Sequence, residues 1–120
     1  MDLENGNWTL AFADLDALER SLKKLPSDAV LAVVAQFERD LRRYGLEVFN
    51  TGAAKWLGGG LAEYRYRRNP DLLIRLFFTI EANQVILVLS GYDKMRDSSH
   101  SRQQTEINKA RKALKSLHKK

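Results

Sequence analysis

Arg75 stands alone in the run Leu72-Leu73-Ile74-Arg75-Leu76-Phe77-Phe78, where every neighbour is apolar. An arginine in such a setting must be paired, snorkelling or functional. Its guanidinium is a planar fork that matches two phosphate oxygens and stays charged at any working pH. The competing use is an ion pair with Glu63 or Glu81 that supports a sheet. Lys94 follows a second apolar run, Val85 to Tyr92, and a lysine set among other cations has its pKa depressed toward acid–base use. Glu63 and Arg65 share one strand face by parity, so Glu63 suits a general base or a salt-bridge partner that orients Arg65. Tyr92 offers a ring to stack on a nucleobase or to cap a core. His100, in Ser98-Ser99-His100-Ser101, can donate a proton near neutral pH or lie in a solvated loop. Lys55, Arg67 and Arg96 add cations suited to an anionic backbone, and Lys94 with Arg96 reads equally as a solvated loop.

Strands must bring these groups together. Leu61 to Arg67 alternates, with Leu61, Glu63, Arg65 and Arg67 on one face and Ala62, Tyr64 and Tyr66 on the other. Asn69-Pro70-Asp71 turns the chain into Leu72 to Ile80, and Glu81 to Gln84 leads into Val85 to Tyr92. That is an antiparallel meander. Upstream, Leu15, Leu18 and Leu22 predict a helix from about Ala13 to Lys24, stopped by Pro26. Val30, Leu31, Val34, Phe37, Leu41 and Tyr44 form the stripe of a second helix ending at Gly45, a natural C-cap. Trp8 to Phe12 reads as a short strand or a helix lead, and Leu46 to Lys55 as a loop. Gly58-Gly59-Gly60 is a flexible strand entry; without a following Lys-Ser/Thr it is no phosphate loop. Asp93 to Arg102 reads as a polar loop, and Ile107, Ala110, Leu114 and Leu117 mark a last amphipathic helix with a basic outer face. Trp8 and Trp56 suit packing anchors. The expected fold is α+β: two N-terminal helices packed on a three- to four-stranded antiparallel sheet, with a C-terminal helix.

The chain of 120 residues fits one domain, residues 1–120, able to bury roughly two thirds of its unfolded surface. It has no cysteine, which removes disulfides, thiolate metal sites and thiol nucleophiles, and only two histidines. Neither the longest apolar runs nor the N-terminus has membrane-span or secretory character, so a soluble cytoplasmic protein is expected. The net charge of +5 is uneven. Residues 1–50 hold 6 Lys/Arg against 9 Asp/Glu, a net of −3; residues 51–120 hold 14 against 6, a net of +8. The strand-bearing half is the basic one, as a surface for nucleic acid or an acidic protein segment would be.

Three segments in order carry a likeness: Lys55-Trp56-Leu57 with Gly60-Leu61-Ala62-Glu63-Tyr64-Arg65, then Leu73-Ile74-Arg75-Leu76-Phe77-Phe78, then Gly91-Tyr92-Asp93-Lys94-Met95 leading to Glu106-Ile107-Asn108-Lys109-Ala110-Arg111. Together they resemble the RelE/HigB group of bacterial toxins, in particular its phage-derived HigB-like branch, over about residues 15 to 117. The resemblance implies a RelE-like fold, a cognate antitoxin, such as a helix-turn-helix protein, and ribosome-dependent cleavage of messenger RNA. It implies no metal or other cofactor. In such enzymes the ribose 2′-hydroxyl attacks the adjacent phosphate and leaves a cyclic phosphate and a 5′-hydroxyl. Arg75, Lys94, Glu63 and Tyr92 would then be catalytic, with Lys55, Arg65, Arg67, Arg96 and His100 on the RNA. Met95 stands where the family has a second lysine, and the last helix lacks the tyrosine that some members use. The alternatives are a ParE-like inhibitor of DNA gyrase and a catalytically degenerate relative kept for binding nucleic acid or antitoxin.

Overall fold

The computed structural model describes residues 8–22, 27–69, 72–81, 85–94 and 99–118. In order they form β1 (Thr9–Phe12), α1 (Leu15–Ser21), α2 (Ser27–Tyr44), a 3-10 helix (Gly45–Asn50), β2 (Ala54–Gly58), β3 (Leu61–Asn69), β4 (Leu72–Glu81), β5 (Val85–Asp93) and α3 (His100–His118). The strands make one sheet in the order β1-β5-β4-β3-β2. β1 runs parallel to β5, and every other neighbouring pair is antiparallel. The fold is therefore α+β as expected, but its sheet is five-stranded and mixed rather than three- to four-stranded and antiparallel.

Both additions lie at sheet edges. Trp8 to Phe12, ambiguous in sequence, pairs as β1 through Thr9 opposite Val85 to Phe12 opposite Val88. The expected Leu46–Lys55 loop instead begins in the 3-10 helix and ends in the start of β2. The glycine triplet is the turn from β2 to β3, with φ of 93°, 62° and 84° at Gly58, Gly59 and Gly60, values that only glycine takes cheaply in succession.

The sheet is covered on both faces. α1, Leu22 just after it, and α2 set Leu18, Leu22, Val33, Phe37 and Leu41 against Tyr64, Ile74, Leu76, Phe78, Ile86 and Val88. Phe37 stacks on Tyr64 with centroids 4.1 Å apart, and the Tyr64 hydroxyl donates to Asp40 Oδ2 at 2.6 Å. The stripe of α2 is shifted from expectation: Val33 is buried, whereas Leu31 is 74% exposed. One step from Val30 turns a helical side chain by about 100°, which takes Leu31 off the buried face. Gly45, at φ 56°, ends α2 in the left-handed conformation expected of it. On the other face, Ala110 and Leu114 of α3 meet Leu61, Phe77, Leu89 and Tyr92. The helix begins inside the stretch expected to be loop: Ser99 Oγ accepts from the Arg102 amide at 3.1 Å, an N-cap bond.

Candidate functional site

Register builds the site on the α3 face. Arg65 of β3 lies opposite Arg75 of β4, and Arg75 opposite Tyr92 of β5. The next row pairs Arg67 with Leu73, whose carbonyl accepts the Lys94 amide at 2.8 Å. On the other side, Lys55 lies opposite Glu63, and Glu63 opposite Phe77. Strand alternation thus gathers Lys55, Glu63, Arg65, Arg67, Arg75, Tyr92 and Lys94 on one side of the sheet. Tyr64 and Asp93, their chain neighbours, fall outside that set.

Two cations opposite each other destabilise a strand pair unless a third group intervenes. Glu63 does: its Oε1 lies 3.0 Å from Arg75 Nη1, with the two side chains only 4% and 7% exposed. Of the two partners open to Arg75 in sequence, Glu63 is the one it takes. Arg65 turns away and donates from Nη2 to the Gly52 carbonyl at 3.1 Å. It is not oriented by Glu63.

Tyr92 is fully buried, its ring stacked on Phe77 at 6.1 Å and covered by the Arg102 guanidinium at 5.4 Å from the centroid. Burial pushes its phenol up, Arg75 opposes the rise, and Glu63 and Glu106 add to it. Stacking on a nucleobase is closed to it in this arrangement; it caps the core. Lys94 is held below the ordinary lysine value, first by the Arg75 charge and then by partial burial, with Arg65 and Arg67 adding to the effect and Glu63 opposing it. The lysine therefore feels the cluster that the register predicts.

Arg102 and Glu106 join this group from α3 without having been singled out in sequence. Glu106 is buried, and its Oε2 accepts from Arg102 Nε at 2.9 Å and pairs with Lys109 Nζ at 3.6 Å. Their i, i+4 spacing was legible; their depth was not. Among the described residues, Glu63 Oε1, Arg75 Nε, Ser90 Oγ and the Tyr92 hydroxyl are buried without a hydrogen bond. The Glu63–Arg75 contact is thus a close ion pair whose fork is not fully used.

Lys55, Arg65 and Arg67 are exposed and Lys94 is half-buried, forming a cationic rim beside a closed centre of Glu63, Arg75 and Tyr92. His100 is exposed at the first residue of α3, not in a loop. Arg96 and Met95 lie outside the described residues. Among those described, no group of His, Asp and Glu is arranged to hold a metal ion, and no helix is long and apolar enough to cross a membrane.

No family model matches this chain, and no solved structure does. A cytoplasmic histidine–tRNA ligase of Dictyostelium discoideum is 26% identical over 106 residues, 83% of this chain and 21% of that protein. The chain thus spans about a fifth of the ligase it matches.

Proposed function

We propose that this chain is the toxin of a toxin–antitoxin pair, a RelE/HigB-type endoribonuclease that cuts messenger RNA on the ribosome and is restrained by a cognate antitoxin in the cytoplasm. The observation that carries the reading is the meeting of Arg75, Arg65, Arg67 and Lys94 in two adjacent cross-strand rows, close enough for Arg75 to lower the Lys94 pKa. In this reading the rim of Lys55, Arg65 and Arg67 holds the RNA backbone and Arg75 takes the scissile phosphate. Lys94, the half-buried cation at the end of β5, moves the proton. The 2′-oxygen forms its bond to phosphorus as the bond to the 5′-oxygen breaks, and that oxygen leaves with a proton. Glu63 holds Arg75 until the phosphate competes for it. The ligase similarity brings an enzyme of tRNA into view, but over a fifth of its length it carries no weight for the mechanism.

The buried Glu63–Arg75 pair favours a second reading, a relative that binds nucleic acid or antitoxin without cutting. One experiment separates them. After brief induced expression, RNA 5′ ends are mapped for the native chain and for Arg75→Ala. Cuts at one codon phase that vanish with Arg75→Ala, while the variant stays folded, support the nuclease. Absence of cuts with intact antitoxin binding supports the second reading, and loss of gyrase supercoiling without cuts would move the chain to the gyrase inhibitors.

A further inference from the structure

We propose that the start of α3, from His100 to Glu106, is a displaceable cover over Glu63, Arg75 and Tyr92, and that an RNA phosphate reaches Arg75 only when this segment lifts while the rest of the helix stays docked. The inference rests on reading this face as an RNA site and names how that site is controlled.

The helix is chemically two-part. From Ile107 onward it holds by burial: Ala110 and Leu114 are buried, and Ile107, Ala113 and Leu117 pack beside them around Leu57, Leu61, Phe77, Leu87 and Leu89. Arg111 adds a clamp, donating from Nη1 to the Gly58 carbonyl at 3.0 Å and from Nη2 to the Leu57 carbonyl at 2.9 Å. The first about two turns, His-Ser-Arg-Gln-Gln-Thr-Glu, contain no apolar residue. Ser101, Gln104 and Thr105 face solvent, and the contact downward is the Arg102 guanidinium over the Tyr92 ring, with Glu106 beneath it. Nothing of that kind matches the apolar seam that follows. Helix ends with few buried apolar contacts open at far smaller cost than the whole fold.

What lies underneath would gain from opening. The Arg75 Nε and the Tyr92 hydroxyl are buried without hydrogen bonds, and each is a donor whose desolvation penalty water or a phosphate oxygen would relieve. Exposed Arg65 shares the cross-strand row of Arg75 and Tyr92, the ring that Arg102 covers, so a strand bound at the rim reaches this row before Arg75 is open.

Two pairs of substitutions at exposed positions shift the cover without touching the site. Ser101→Gly with Gln104→Gly loosens the helix start, and Ser101→Ala with Gln104→Ala tightens it. From the helix propensities of glycine and alanine the open population should differ about thirtyfold between the pairs. Hydrogen exchange should show amides of residues 103–106 opening separately from those of 110–114. Affinity for a single-stranded 2′-O-methyl hexanucleotide, which cannot be cut, should be highest for the glycine pair and lowest for the alanine pair. That difference should disappear when Glu63→Gln and Arg75→Gln are made together, a change that leaves no lone charge buried. Uniform protection along α3, or equal affinity of the two pairs, overturns the cover. If the pairs bind and cut alike on the ribosome in an Arg75-dependent way, the cover is wrong and the nuclease reading stands. If the cover opens as stated but no ribosome-bound RNA is cut, the nuclease reading fails and the cover stands.

Discussion

Arg75 and Glu63 are nearly sealed from water, so their pairing is governed by desolvation as much as by attraction. Removing one partner leaves a buried charge with nothing to offset it: Glu63→Gln is expected to destabilise the protein by about 3 to 5 kcal/mol. Replacing both, as Glu63→Leu with Arg75→Met, should leave stability equal to or above that of the native chain, because well-packed apolar groups often outdo a buried pair. Urea unfolding of both variants checks this, and a double variant as unstable as the single would show that the pair itself holds the fold. Lys94 gives a second test. Its folded pKa is depressed, so the unfolded chain binds the extra proton as pH falls below the usual lysine value of 10.5. The charged lysine therefore costs stability at neutral pH, and the cost fades as pH rises toward 10.5. Lys94→Met should be more stable than the native chain at pH 7, with the gap closing at alkaline pH, while ribosome-dependent cutting is lost. Strand parity made Glu63 and Arg65 legible as one face in the sequence, and the β3–β4 register adds Arg75 to it. That Arg75 lies under a helix was not legible, because the azimuth of α3 follows from packing between residues far apart in the chain.

The central strands and α2 were readable because their apolar patterns are long, whereas β1 and β2 span 4 and 5 residues and show too little alternation to separate from loop. The glycine triplet was recognised as permissive but not as the turn that creates β2, since a strand of Ala, Lys, Trp, Leu and Gly announces itself only once β3 pairs with it. Gly91 is a case where sequence offered no signal at all. A Cβ there would lie 2.7 Å from Leu76 Cδ2, 2.9 Å from the Arg75 carbonyl oxygen and 3.1 Å from Leu18 Cδ1. The missing side chain is what lets α1 lie close to β5 directly across the sheet from the Arg75 row. Gly91→Ala should destabilise by about 1 to 3 kcal/mol through overpacking. Trimming the helix with Leu18→Ala in the same chain should not restore the loss, because the backbone oxygen of Arg75 cannot yield without breaking the β4–β5 pairing. Thermal unfolding of the single and double variants decides it: full rescue would mean that the helix, not the strand pair, limits the space.

At the scale of the whole molecule, charge and architecture coincide. The half of the chain with net charge +8 supplies β2 to β5 and α3, and its exposed cations Lys55, Arg65 and Arg67, with half-buried Lys94, line one margin of the α3 face. Helix α2 on the opposite face has its own arginines, but Arg42 there is tied to Glu38 at 3.6 Å and points to a different side of the protein. If the rim is the RNA-binding surface, affinity for single-stranded RNA should fall with salt at a log–log slope near −3, about −0.7 for each phosphate neutralised by the four cations. Alanine at Arg65 or Arg67 should flatten that slope by about 0.7 each, and Arg42→Ala should leave it unchanged. Expression of the lone chain in its native host should arrest growth, and the double change at Arg65 and Arg67 should relieve the arrest without lowering the melting temperature. A salt slope insensitive to the rim but altered by Arg42→Ala would put the RNA on the helical face, and the assignment of the site to the α3 side of the sheet would fall with it.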